Sequence, residues 1–174
     1  MIEFFFDCSS PWTYLAFHNI QPLAEEFGVE ISWRPILVGG IFNSINPSVY
    51  ASRENPVPAK LAYQKKDMAD WARSAGLAIK MRPTVFPVNS VKAMRGCILL
   101  DREAKLVPFA RAVFEIYWGE DQDISQDAVL ASLLIFRGIY YVVPFIAAMA
   151  MLGGVEAVRR WRSLREAMAA RSDD

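Results

Sequence analysis

Histidine and cysteine are nearly missing from this chain of 174 residues, which carries one histidine, His18, and two cysteines, Cys8 and Cys97. A single histidine excludes every site that needs two imidazole ligands, the zinc-protease helix among them, and two cysteines supply neither a disulfide framework nor a zinc pattern. No metal site is expected. Charge of one sign is missing too: nineteen Lys and Arg balance nineteen Asp and Glu, with no basic arm or acidic tail. An electrostatic nucleic-acid partner is therefore disfavoured, which leaves small molecules and proteins. Met1-Ile2-Glu3 lacks the character of a basic, Leu-rich leader, and together with the sparse cysteines this sets the expectation of a reducing, cytoplasmic setting. The most apolar run, Ile139 to Leu152, is fourteen residues long, interrupted by Pro144, preceded by Arg137 and closed by Gly153-Gly154. That is short of the about 20 residues that span a bilayer, so a buried strand pair is expected and no membrane partner. What the chain has in quantity is apolar surface, at 53% hydrophobic and 13% aromatic residues, enough to fold as one domain or one domain with an insertion.

Ile2 to Phe6 (IEFFF) is an apolar run bounded by Asp7 and reads as a buried strand. Ser10 as N-cap and Pro11 at the first helical position then open a helix that carries Leu15, Ile20, Leu23 and Phe27 and ends at Gly28; Pro22 is expected to kink it or to start a second segment. Val29 to Arg34 alternates and stops at Pro35, giving a second strand and a βαβ unit. Gly39 to Pro58, rich in Gly, Asn, Ser and Pro, reads as a long loop of the kind that serves a function. Helices are expected over Ala59–Ala75, with Leu61, Met68 and Trp71 on one side, then over Val91–Ala104, Val107–Trp118 and Ala128–Phe136. The apolar run and an Arg-rich amphipathic helix from Glu156 to Ala170 finish the chain. The order β-α-β, helices, β-β-α is that of an α/β, thioredoxin-like fold split by helices. It assigns residues 1–58 and 137–174 to the thioredoxin-like domain and 59–136 to a helical insertion.

Chemistry is best placed at the junction Asp7-Cys8-Ser9-Ser10-Pro11-Trp12-Thr13-Tyr14, where a strand runs into the positive end of a helix and a hydroxyl stands among free N–H groups. Such a point suits a thiolate or carboxylate. Ser-Pro at a helix start is also ordinary capping, and the pattern by itself leaves both readings open. Cys8 has no histidine base and reads as a buried strand-end thiol. Of Trp12, Tyr14, Phe42, Tyr63 and Trp71, only Trp12 and Phe42 are expected to face a pocket, and His18 is expected at the surface.

Ile2 to Ala16 (IEFFFDCSSPWTYLA) resembles the opening of the 2-hydroxychromene-2-carboxylate isomerases and their relatives, the kappa-class glutathione transferases. In those proteins a Ser-Pro-aromatic-Ser/Thr segment replaces the Cys-x-x-Cys of thioredoxin. Trp33-Arg34-Pro35 with Gly39-Gly40-Ile41-Phe42, Pro58-Ala59-Lys60 with Tyr63 and Asp67, Phe86-Pro87-Val88-Asn89-Ser90 with Ala93, Met94 and Arg95, and Asp123-Ile124-Ser125 resemble the family's later motifs in the same order. Arg137-Gly138-Ile139 followed by Val143-Pro144-Phe145 is similar to its cis-proline strand. Where the family places an aspartate for the γ-glutamyl ammonium, this chain has Gly153-Gly154-Val155-Glu156.

The resemblance implies a DsbA-like thioredoxin fold with a mixed sheet and a shortened helical insertion. It implies glutathione as cofactor, Ser10 as the catalytic hydroxyl that holds the glutathione sulfur as thiolate, and Asn46, Lys60, Val143 and Pro144 as cofactor-binding residues. Trp12, Phe42 and Asn89 would meet a small aromatic substrate. The implied activity is glutathione-dependent isomerisation of 2-hydroxychromene-2-carboxylate or a related aromatic-degradation intermediate, in a homodimer. A kappa-like glutathione transferase or peroxidase, or a non-catalytic thioredoxin-fold binding module, are the alternatives. Thiol–disulfide exchange is excluded, because Ser10 and Thr13 stand where a dithiol would have to be.

Overall fold

Strand β1 (Ile2–Phe6), helix α1 (Pro11–Glu26) and strand β2 (Ile31–Pro35) form the expected βαβ unit. The two strands pair in parallel, in register from Ile2 with Ile31 to Phe6 with Pro35, and α1 is the crossover that parallel pairing requires. These elements come from a computed structural model that describes residues 1–46, 48, 50, 54–133 and 149–151. The chain divides into two units, Met1–Leu133 and Leu134–Asp174.

In the first unit, Ser10 has extended backbone angles (φ −110°, ψ 121°) and hands over to Pro11, whose missing N–H costs nothing at a helix start. Helix α1 runs through Pro22 as one element, and Gln21 Nε2 donates to the Phe17 carbonyl at 2.7 Å. It closes on Gly28 at φ +61°, a conformation that costs glycine little, and the Val29 N–H turns back to the Ala24 carbonyl at 2.8 Å. Val29 is thereby taken from β2, which starts two residues later than its alternation suggests.

Within the expected loop after Pro35 lies helix α2 (Val38–Ser44). Its glycines argue against a helix locally, but the first N–H, of Val38, is capped from a distance by the Asp7 carboxylate at 2.9 Å. Helix α3 (Pro58–Ser74) follows, then α4 (Val91–Asp101) and α5 (Leu106–Phe114). The last continues into a π-helical turn, Glu115–Gly119, and residues 127–133 are again helical. One regular helix over Val107–Trp118 was expected. The wider turn instead carries Tyr117 and Trp118, both fully buried.

The core joins these pieces. Phe6, Phe17, Phe114, Tyr117 and Trp118 are each at most 1% exposed, Phe17 packs on Trp33 at 4.8 Å, and Tyr14 stacks on Phe114 at 4.9 Å with planes 4° apart. Burial of each such ring is worth about 1.5–3 kcal/mol, so β1, α1, β2 and α5 hold one another through aromatic surface. Helices α4 and α5 meet at Gly96, where a Cβ would stand 2.8 Å from the Phe109 ring.

In the second unit, a buried strand pair is expected over Ile139 to Leu152. Its described part, residues 149–151, is helical and exposed. The β-branched residues of that run, Ile139, Val142, Val143 and Ile146, all precede Ala147-Ala148-Met149-Ala150-Met151, and Ala and Met are strong helix formers. Among the described residues no helix is long and apolar enough to cross a membrane.

Candidate functional site

The end of β1 turns on a buried carboxylate. Asp7 is 1% exposed; its Oδ1 accepts from the Ser9 N–H and its Oδ2 from the Val38 N–H, both at 2.9 Å. One side chain thus ties the loop before α1 to the first turn of α2, and the Asp7 carbonyl accepts from the Ser10 N–H at 3.1 Å. Trp118 fixes the same loop from below, its indole N–H donating to the Cys8 carbonyl at 2.9 Å in a fully buried bond. Tyr117, in the same π-helical turn, donates its hydroxyl to the Val85 carbonyl at 3.0 Å. Burial first, then the charges of Asp121 and Asp123, push the Tyr117 phenol up to about 12, so it remains a neutral donor. Strand end and Val85 loop are thereby pinned to one turn.

Between them lies a cavity of about 540 Å³, within the usual range for small-molecule sites. Ser10 lines it. The Ser10 Oγ accepts from the Thr13 N–H at 3.2 Å, the ordinary N-cap bond. Capping uses a lone pair of that oxygen and leaves its proton, so the same hydroxyl can cap the helix and donate to an anion in the cavity. The Trp12 N–H makes no hydrogen bond among the described residues, because Pro11 and the capping bond leave it the open donor of the first turn. Ser10 and Trp12 both line the cavity, and the start of α1 adds its positive dipole end there.

Trp12, Phe42 and Asn89 also line the cavity, with Phe86 and Trp118 as further aromatic wall. The Asn89 Oδ1 accepts from the Val91 N–H at 3.1 Å, capping the start of α4 and leaving its amide N–H donors for a ligand. Neither Asn46 nor Lys60 is on the wall: Asn46 Oδ1 accepts from the Ser48 hydroxyl, and Lys60 stands exposed in the first turn of α3. Val143 and Pro144 lie outside the described residues, as does Gly153–Glu156. Tyr14 is buried in the core, with its phenol pushed up to about 12 chiefly by burial, while Tyr63, Trp71 and His18 are exposed away from the cavity.

Two cations on the wall, Lys65 and Arg82, were missed by sequence reasoning. The helical phase held a signal for the first, since Leu61, Gln64 and Lys65 occupy one face of α3 at spacings of three and four, and all three line the cavity. For Arg82, in the segment between α3 and α4, there was none. Cys8 cannot compete as a nucleophile. It is fully buried, and burial first, then contact with Cys97 and the charge of Asp7, push its thiol well above the usual range. Among the described residues no group of His, Cys, Asp and Glu could hold a metal ion.

Residues 1–156 match the family model of the DSBA-like thioredoxin domain. The 2-hydroxychromene-2-carboxylate isomerase of Pseudomonas putida is 31% identical over 122 residues, 69% of this chain and 57% of that protein. The protein of the same name from Pseudomonas sp. (strain C18) is 30% identical over 122 residues, 69% of this chain and 54% of that one. The chain thus spans about half the length of the curated relatives it matches. A solved structure of a 2-hydroxychromene-2-carboxylate isomerase superposes with a TM-score of 0.58 at 27% identity, covering 76% of this chain and 66% of that one. The parallel βαβ unit, the Ser-Pro helix start and these likenesses agree: the chain has a DsbA-like thioredoxin fold and belongs to the DsbA-like thioredoxin-domain family, within which it is similar to the 2-hydroxychromene-2-carboxylate isomerases.

Proposed function

We propose that the chain is a glutathione-dependent isomerase acting on 2-hydroxychromene-2-carboxylate or a related aromatic-degradation intermediate. The observation that carries this reading is the Ser10 hydroxyl, which caps α1 through its oxygen at 3.2 Å and keeps its proton for the cavity. The residues fit the cofactor on two counts: the cavity of about 540 Å³ has room for a small peptide, and the donors at its head suit a sulfur anion rather than a neutral thiol. Glutathione, when bound, would supply a thiolate able to add to a conjugated double bond and leave it again, which permits rotation about that bond.

The chain's own part is positioning and electrostatics. Ser10 O–H and Trp12 N–H point two donors at the sulfur position, and the α1 dipole adds a positive potential there; both stabilise a thiolate relative to a thiol of pKa about 8.5. The charge of Asp7, which pushes the Cys8 thiol up, opposes an anion here as well; its hydrogen bonds from the Ser9 and Val38 N–H groups do not cancel it, and the donors and dipole at the start of α1 have to outweigh it. Trp12, Phe42, Phe86 and Trp118 offer flat apolar surface to an aromatic ring, and Asn89 a neutral amide. Val143 and Pro144 keep the cofactor-binding role that the resemblance implies. Asn46 and Lys60, which are not on the wall, would need to turn toward the ligand to bind it.

The test is ultraviolet monitoring of 2-hydroxychromene-2-carboxylate conversion with and without glutathione. Conversion that requires glutathione supports the reading. Equal rates in its presence and absence, or no conversion beside normal glutathione binding, refute it and leave a thioredoxin-fold module of another function.

A further inference from the structure

The cavity wall is unevenly charged. It carries two cations, Lys65 and Arg82, and among the described residues that line it one carboxylate, Asp7, whose oxygens are both engaged by backbone N–H groups. Some cations close by in the chain have partners, Lys66 with Asp70, Lys80 with Asp121 and Lys92 with Asp127, and Lys60, which has no ion pair among the described residues, is not on the wall. Lys65 and Arg82 make no ion pair among the described residues and are exposed to the cavity's solvent. They also stand apart in the chain, one on α3 and the other in the segment that leads to Phe86, so folding brings two unpaired charges to one cavity. The same cavity is lined by aromatic faces, Trp12, Phe42, Phe86 and Trp118. Apolar walls with a pair of uncommitted cations are complementary to a flat molecule that ends in an anion.

We infer that Lys65 and Arg82 are the specificity-determining residues of this cavity: they hold the carboxylate of an aromatic acid and so select the acid over its neutral counterpart. The inference rests on the reading of the cavity as the substrate site, and it assigns the acid's recognition to these two side chains and not to Lys60. Guanidinium and ammonium complement each other here, since Arg82 can grip both oxygens of a carboxylate while Lys65 acts as a point charge on a flexible stem. Neither is needed to hold the thiolate, which belongs to Ser10 and the start of α1.

The test uses trans-cinnamate and its neutral isostere cinnamamide, followed by quenching of tryptophan fluorescence, because Trp12 and Trp118 line the cavity. No turnover is measured, so a failed isomerase assay leaves the result interpretable. Wild-type protein should bind cinnamate about tenfold more tightly than cinnamamide, as one charge-assisted contact predicts. Lys65→Gln and Arg82→Gln should each remove most of that preference while leaving cinnamamide binding and melting temperature unchanged, and Lys66→Gln, on the neighbouring paired lysine, should behave as wild type. Equal binding of acid and amide to wild type, no binding of either, or the same loss in Lys66→Gln would overturn the inference. A fourth arm separates the two sources of a carboxylate. If Lys65→Gln and Arg82→Gln weaken S-methylglutathione and leave cinnamate alone, the cations serve the peptide and the inference fails.

Discussion

Replacement of Ser10 separates its two roles, because capping uses the oxygen and anion binding uses the proton. Ser10→Ala removes both. Loss of the 3.2 Å bond to the Thr13 N–H should cost about 1 kcal/mol, the usual value for an N-cap, which for a chain of this size lowers the melting temperature by roughly 2–4 °C. Loss of the donor to a thiolate is larger, at about 1.5–3 kcal/mol for a hydrogen bond to a charged group, or a roughly ten- to hundredfold fall in turnover. Ser10→Gly is the informative companion. Glycine keeps N-cap stability to within a few tenths of a kcal/mol but has no hydroxyl, so it should melt near wild type and turn over as slowly as Ser10→Ala. Thermal melts and initial rates on the three proteins decide the matter. If turnover follows melting temperature across the series, with Ser10→Gly active, then Ser10 is only a cap and the argument from its free proton is wrong.

Asp121 accepts from Thr84 N–H and Thr84 hydroxyl and pairs with Lys80, and these partners hold its carboxyl down at about 2. A depressed folded-state value contributes stability above the unfolded value of about 3.9 and loses it as pH falls through about 2, so Asp121→Asn should melt lower than wild type at neutral pH and match it at the acid end of a pH series. A gap that persists unchanged to pH 2 would refute that assignment. Gly96→Ala adds a methyl 2.8 Å from the buried Phe109 ring; the overpacking, about 1–3 kcal/mol, should outweigh the up to about 1 kcal/mol that alanine gains in a helix, and a denaturant titration showing a more stable variant would contradict the close packing. Cys8 and Cys97, both 0% exposed, should resist a thiol reagent at neutral pH in the folded protein and react fully once unfolded; rapid labelling of Cys8 in the native state would reopen its candidacy as a nucleophile.

The parts of this molecule that were legible in the sequence are those whose causes are local. Ser10 followed by Pro11 announces the start of α1 and Gly28 its end, because capping and φ restriction act over a few residues. Helix α2 was invisible for the opposite reason: its cap is the carboxylate of Asp7, 31 positions earlier, while its own Gly39 and Gly40 speak for a loop. The π-helical turn was hidden likewise: its Tyr117 and Trp118 hydrogen-bond to the Val85 and Cys8 carbonyls, 32 and 110 positions earlier, which no periodicity displays. At the site, Ser10, Trp12, Phe42 and Asn89 were named from motifs and line one cavity. The cations were another matter. A motif singles out Lys60, whereas the phase set by Leu61 and Met68 turns Lys65 inward, and Arg82 reaches the wall through a chain path that only folding defines.

The central claim is that the start of α1 stabilises a borrowed thiolate, and the pKa of the glutathione thiol in the bound state tests it directly. Ultraviolet absorbance of the thiolate, followed against pH at saturating glutathione, should give a value at least one unit below the free thiol's in wild type and a value shifted back up in Ser10→Ala. An unshifted thiol in a wild-type complex, or a shift that Ser10→Ala leaves in place, would contradict the account.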